Sequence, residues 1–274
     1  MQGTTKNKGV LEKVISKLTP PQGKHSRLKH KMGWLEFLAN GDLLFTSSQL
    51  YDVISAIVNK NPPEGKKLFC LSEKKSGFTV LSDKTPGRPE EALERFIVFS
   101  NPDNFYNQIP IGGRRESIDI GILESDEKFI FVELKPFEST NTPLYGILES
   151  LKNLIEYEYI LKKGIKNIPR FKEVDLIVLA PKSYWDDYGI NESGTLQKMK
   201  RVLNELGAEF GTNISLMALH IEKDEFFDKC RKICEQRGID KQQRITISKA
   251  DALPELARDR WQLLVASDRI STRN

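Results

Sequence analysis

Two short apolar runs, residues 118–123 and 129–134, flank the polar turn 124–128, and this pattern predicts a β-hairpin. Helical spacing of apolar residues predicts helices on either side of it. Before the hairpin, Ala92, Leu93, Phe96 and Ile97 form one face of a helix beginning at Pro89, since proline suits the first helical position. Asn101, Pro102 and Asp103 close that helix. After the hairpin, Leu144, Ile147, Leu148, Leu151, Leu154 and Ile155 predict a long helix from Thr142 to about Lys163. Asn153 and Tyr157 lie opposite this stripe, which makes them surface residues. The nearly continuous apolar run 174–180 predicts a strand covered on both faces. The aromatic stretch 181–188 reads as a loop packed on the body. Leu196, Met199, Val202, Leu203 and Leu206 predict another helix. Residues 214–221 read as a strand ending near a core His220, 223–237 as a helix, 244–247 as a strand and 254–265 as weakly helical.

The part before Pro89 is less regular. Val10, Leu11, Val14, Ile15 and Leu18 predict a short helix over 6–18, ended by Pro20 and Pro21. A basic loop follows over 22–31. Residues 34–38 and 43–46 flank Asn40-Gly41, the dipeptide favoured in tight hairpins. A helix is expected over 48–58, with Leu50, Val53, Ile54 and Ile57 on one face, and short strands at 69–71 and 78–81. The run Thr85-Pro86-Gly87-Arg88-Pro89 marks a boundary. The expected organisation is a basic α+β appendage over 1–84, an α/β core over 85–240 and an extension over 241–274. Alternation of helices and strands over 88–221 implies an α/β/α core with a mixed central sheet.

Charge changes this picture more than composition does. The first 33 residues carry eight Lys or Arg against one acid, a balance of +7, which leaves about −3 for the rest of a chain of net charge +4. A basic arm on a near-neutral body suits a polyanionic partner, with Lys24, Arg27, Lys29 and Lys31 as phosphate contacts. Arg114 and Arg115, at the entry to the hairpin, are further candidate phosphate clamps. The three cysteines lack zinc-like spacing, and Cys230 and Cys234 share a helix face with Phe226, Phe227 and Ile233, which fits packing in a reducing cytoplasm. No apolar run is long enough to span a bilayer, and no membrane partner is expected.

The chemistry concentrates in the hairpin. Asp119 lies between Ile118 and Ile120, and Glu133 between Val132 and Leu134. Carboxylates among apolar strand residues are costly unless paired or bound to a metal. Side chains alternate along a strand, so Glu133 and Lys135 share a face. Should Asp119 face the same side, two hard oxygen ligands suited to Mg²⁺ converge beside one cation.

Asp119 on one apolar strand, followed by Glu133-x-Lys135 on the next, resembles the PD-(D/E)XK nuclease superfamily, although Ile118 stands where that pattern often has proline. The resemblance implies a restriction-endonuclease-like core and a cytoplasmic Mg²⁺-dependent endonuclease acting on DNA, with Mn²⁺ able to replace Mg²⁺. It further implies that Asp119, Glu133, the Leu134 carbonyl and a glutamate of the preceding helix hold the metal, with Lys135 assisting the attacking water. Glu90 is the expected helix ligand and Glu94 its rival, because both flank the apolar face whereas Glu91 points further away. A lysine beside Mg²⁺ is expected to have a lowered pKa. A homodimer or a larger DNA-processing complex fits such an enzyme. The alternative is a nuclease-like module without activity, used for nucleic-acid binding or assembly.

Overall fold

The computed structural model describes residues 46–268, apart from short stretches at 61–62, 64–67, 72–73, 112–116, 166–167 and 193. The expected helix at 6–18, the hairpin around Asn40-Gly41, and Lys24, Arg27, Lys29, Lys31, Arg114 and Arg115 lie outside the described residues. The elements are α1 (Ser47–Lys60), β1 (Gly77–Val80), α2 (Pro89–Phe99), β2 (Phe105–Pro110), β3 (Ser117–Ser125), β4 (Lys128–Leu134) and α3 (Pro143–Lys162). They continue with β5 (Glu173–Pro181), α4 (Lys182–Asp187), α5 (Thr195–Phe210), β6 (Ile214–Leu219), α6 (Lys223–Gln236), β7 (Gln243–Thr246) and β8 (Gln262–Ala266).

The protein is a mixed α/β structure on a six-stranded sheet of order β2-β3-β4-β5-β6-β8. β2, β3 and β4 form an antiparallel meander, β4, β5 and β6 run parallel, and β8 returns antiparallel at the edge. The parallel steps need crossovers, which α3 and α5 provide. Alternation along the strands divides the apolar residues between two cores. Phe129, Phe131, Leu176, Val178 and Leu216 pack beneath α1, α3 and α5. Ile120, Ile130, Val132, Ile177 and Leu179 pack on the opposite face against α2 and α6.

The described segments on either side of both expected boundaries share these cores. Leu50, Val53, Ile54, Val58 and Phe69 belong to the first, and Phe78 and Val80 to the second. β1 pairs with β7, so chain before Pro89 is joined to chain after Asp240.

Several expectations are corrected. Residues 68–69 form a turn, with Phe69 at φ 48°, rather than a strand. Residues 181–188 contain the helix α4, whose Tyr184 and Trp185 are fully buried. His220 is exposed beyond the end of β6 and bonds Gln262 at 2.8 Å. Residues 254–265 are 3-10 turns followed by the strand β8. Asn153 and Tyr157 are buried. Their helix is covered on two sides, since the Phe69 and Phe171 rings pack on Tyr157 as well as the sheet's Phe131. The Tyr157 hydroxyl donates to the Pro169 carbonyl at 2.8 Å and accepts from the Phe171 amide at 3.0 Å.

β2 is absent from the sequence reading altogether. Gln108 adopts φ 52° within it, so Phe105 faces one core and Ile109 the other. Burial still alternates along the strand, but its middle buried position is the polar Asn107, whose side chain bonds the Lys75 backbone, so no apolar alternation shows in the sequence. Ile109 then lies over Gly121 of β3, where a Cβ would stand 2.3 Å from Ile109 Cδ1 and 2.5 Å from the Phe129 ring. Gly121→Ala is expected to destabilise the protein by about 1–3 kcal/mol, the range for overpacking a closed core. Urea denaturation measures this, and an unchanged midpoint would contradict the packing described.

Candidate active site

The site is assembled where β3 and β4 run side by side. Their register pairs Ile120 with Val132, and one step further Asp119 falls opposite Glu133. Asp119 Oδ2 accepts a hydrogen bond from the Leu134 amide at 2.9 Å. Lys135 Nζ donates to Glu133 Oε1 at 2.8 Å, so these two share a face as their spacing requires. Glu133 and Lys135 are buried, at 8% and 3% exposure, and Asp119 is half-buried. Asp119 Oδ1 and Glu133 Oε2 have no hydrogen-bond partner among the described residues.

Helix α2 brings its acids to Asp119. Glu90, Glu94, Gln108 and Asp119 line a cavity of about 520 Å³. Glu94 is 2% exposed, paired with Arg95, and accepts from Gln108 Nε2 at 2.6 Å. Glu90 is the exposed member. Gln108 thus uses its left-handed backbone to stand opposite Asp119 in the β2–β3 register while holding Glu94. Such a conformation costs about 1–3 kcal/mol in a non-glycine residue and concentrates at functional sites.

Helix α3 supplies a residue that sequence reasoning missed. Glu149 Oε2 accepts from Lys135 Nζ at 2.6 Å, and the Tyr145 ring lies 5.6 Å from the same nitrogen. Close approach at Gly146 allows this, because a Cβ there would meet Val178 Cγ1 at 3.0 Å and Lys135 Cε at 3.1 Å. The usable signal was Gly146 itself, since a glycine inside a helix costs about 1 kcal/mol and calls for a packing reason.

The electrostatics follow from burial and crowding. Burial raises the Asp119 pKa well above the usual carboxylate range, and repulsion from Glu94 and Glu90 adds to it, against the attraction of Lys135 and the Leu134 amide. Burial and then Asp119 do the same to Glu133, opposed by Lys135. Burial, offset in part by Arg95 and the Gln108 bond, pushes Glu94 up to about 8. Glu90 is raised by partial desolvation, with Lys135 drawing it down and Glu149 pushing it up. Burial works against the Lys135 ammonium, but Glu133, Glu149 and Asp119 outweigh it and raise the pKa well above the ordinary value. With no metal beside it, Lys135 is held as a cation by these three carboxyl groups.

The donor set is chemically suited to a hard divalent cation. Asp119 and Glu133 each present an oxygen without a partner among the described residues, and the cluster gathers more carboxyl groups than Lys135 pairs. Among the described residues, no three His, Cys, Asp or Glu side chains are gathered closely enough to form a metal cage by themselves. Comparison of the chain with protein families, with curated proteins and with solved structures gave no match.

Proposed function

We propose that the protein is a metal-dependent nuclease, related to the PD-(D/E)XK superfamily through a restriction-endonuclease-like core, and that it hydrolyses phosphodiester bonds of DNA. The observation that carries this reading is the opposition of Asp119 and Glu133 across two strands, each with an oxygen that has no partner among the described residues, beside the buried Lys135 cation. Buried charge of this kind is costly, and a divalent ion offsets that cost while giving the residues a common task.

Asp119, Glu133 and the Leu134 carbonyl would hold Mg²⁺ or Mn²⁺, with Glu90 or Glu94 reaching the site from α2. When bound, the ion supplies Lewis acidity toward phosphoryl oxygen and makes water more acidic. Lys135 orients the attacking water through the N–H left beyond its bonds to Glu133 and Glu149, and its charge offsets negative charge building up on the phosphoryl oxygens. Glu149 fixes the direction of the Lys135 ammonium from the helix side. In the hydrolysis, the water gives up a proton to solvent as its oxygen forms a new bond to phosphorus, the bond from phosphorus to the leaving sugar oxygen breaks, and that oxygen takes a proton from solvent. A cytoplasmic enzyme, working alone, as a dimer or within a DNA-processing complex, fits this activity. Among the described residues no helix is long and apolar enough to cross a membrane.

The test is cleavage of plasmid, linear, single-stranded and forked DNA with Mg²⁺ or Mn²⁺, by wild type, Asp119→Ala and Lys135→Ala. Cutting is expected to require the ion and to be lost in both variants. Equal cutting by all three would place the chemistry elsewhere. Inert proteins that bind DNA alike would instead point to a binding or assembly module.

A further inference from the structure

The cavity at Asp119 does not stop at the acids. A second cavity, of about 410 Å³, adjoins it, and the two share Gly87, Arg88 and Glu91 as walls. The balance of charge changes along the combined groove. Glu90, Glu94 and Asp119, with Arg95, line the first part, Arg88 and Glu91 stand on the shared wall, and Arg244 lines the second. Arg88 is exposed and its side chain makes no hydrogen bond or ion pair among the described residues. Arg244 is 58% exposed, and its only carboxylate contact among the described residues is Glu91 at 3.5 Å. Glu91 is also 3.4 Å from Arg95, so its charge is shared between two arginines.

These arginines are placed by the fold. Arg88 immediately precedes α2, and the Gly87 amide beside it bonds the Thr79 carbonyl of β1 at 2.9 Å. Arg244 pairs with Thr79 in the β1–β7 ladder, and its Nη2 donates to the Gly77 carbonyl at 2.7 Å. A strand of nucleic acid entering an acid-lined site is repelled there unless cations grip its neighbouring phosphates, and the guanidinium fork suits phosphate oxygens.

Building on the nuclease reading, we infer that Arg88 and Arg244 form a phosphate track that holds the nucleic-acid backbone on one side of the scissile bond. The track comes from β7 and from the residue ahead of α2, so it is separate from the basic arm at 1–33. It sets where a strand lies relative to Asp119 and carries no base recognition of its own.

The experiment uses the full chain with Asp119→Asn, which keeps the groove but stops cutting. Its affinity for a fluorescein-labelled DNA duplex is measured by anisotropy between about 50 and 200 mM salt, the range over which phosphate contacts reveal themselves. Adding Arg88→Gln or Arg244→Gln is expected to weaken binding by about 3- to 10-fold each and to reduce the salt slope by about one. Lys162→Gln, which removes a cation 72% exposed on α3, is the control and is expected to change neither. In the cutting enzyme, Arg88→Gln is expected to raise KM and leave kcat nearly unchanged. Should Arg244→Gln loosen the β1–β7 pairing, seen as a lowered melting temperature, Arg88→Gln decides the matter, since its side chain supports no described bond. Wild type that cuts, with arginine variants binding at unchanged affinity and slope, overturns the track and leaves the nuclease reading standing. Wild type that neither cuts nor binds DNA overturns both.

Discussion

Replacing Asp119 by Asn is expected to abolish cleavage and to raise the melting temperature of the metal-free protein. The two effects have one cause. Asn keeps an oxygen for the Leu134 amide but carries no charge, so it binds a divalent ion poorly and no longer repels Glu94 and Glu90. Loss of metal-assisted charge stabilisation worth several kcal/mol corresponds to a rate loss of at least about 10²-fold. Removing a desolvated, repelled carboxylate is expected to add about 0.5–2 kcal/mol, a rise of a few degrees for a chain of this size.

The pH dependence has a definite sign. Below the ordinary carboxylate range Asp119 is protonated in the folded and unfolded chain alike, and the two proteins should melt nearly together. As the pH rises the unfolded carboxylate ionises, while burial, Glu94 and Glu90 hold the folded one protonated, so wild type loses stability through that interval. The variant escapes this loss, and its advantage should grow with pH and level off once folded Asp119 has ionised. Glu94, pushed up to about 8, gives both proteins a further decline over the same direction of pH. The difference between the two melting curves therefore reports Asp119 together with the part of the Glu133 shift that Asp119 causes. Parallel curves with no gap at any pH would show that the carboxylate bears no such cost.

Trp185→Ala is expected to give the largest loss of stability. Trp185 is fully buried in the short helix α4, its Nε1 donates to the Met217 carbonyl at 2.9 Å, and the Tyr184 ring meets it edge-on at 4.9 Å. Truncating such a side chain costs about 3–5 kcal/mol, and leaving the Met217 carbonyl without its donor adds about 1–3 kcal/mol. That is a large share of the 5–15 kcal/mol typical of a folded domain. The site would feel it too, because Tyr184 bonds the Asn141 carbonyl at 2.8 Å and so anchors the approach to α3 and Glu149. Urea unfolding should show a lower midpoint with an unchanged slope. Leu263→Ala, at a residue 56% exposed, serves as the near-neutral comparison. A loss below about 1 kcal/mol at Trp185 would mean that α4 is not seated as described.

Local pattern by itself determined the hairpin of β3 and β4, the proline-initiated α2, the long α3 and the strand β5, because their apolar periods are unbroken and their ends carry Pro or Thr. It determined also that Glu133 and Lys135 share a face, since a two-residue period leaves no alternative. Where one element is covered from two directions, or changes face partway, that logic fails. Tyr157 looked exposed because the stripe on α3 was read as its only buried side, and Phe69, which helps to cover it, lies far earlier in the sequence. β2 was illegible because its middle buried position is the polar Asn107, satisfied by the backbone of Lys75 from a distant segment. Glu149 joined the site only because Gly146 lets α3 press against Lys135 and Val178. Arg244 reached the groove by pairing β7 with a strand more than 160 residues earlier. The sequence alone thus determined which carboxylates and which lysine are out of place among apolar neighbours. Only the tertiary structure decided which other charges surround them, because contacts between distant segments depend on packing and leave no local period to read.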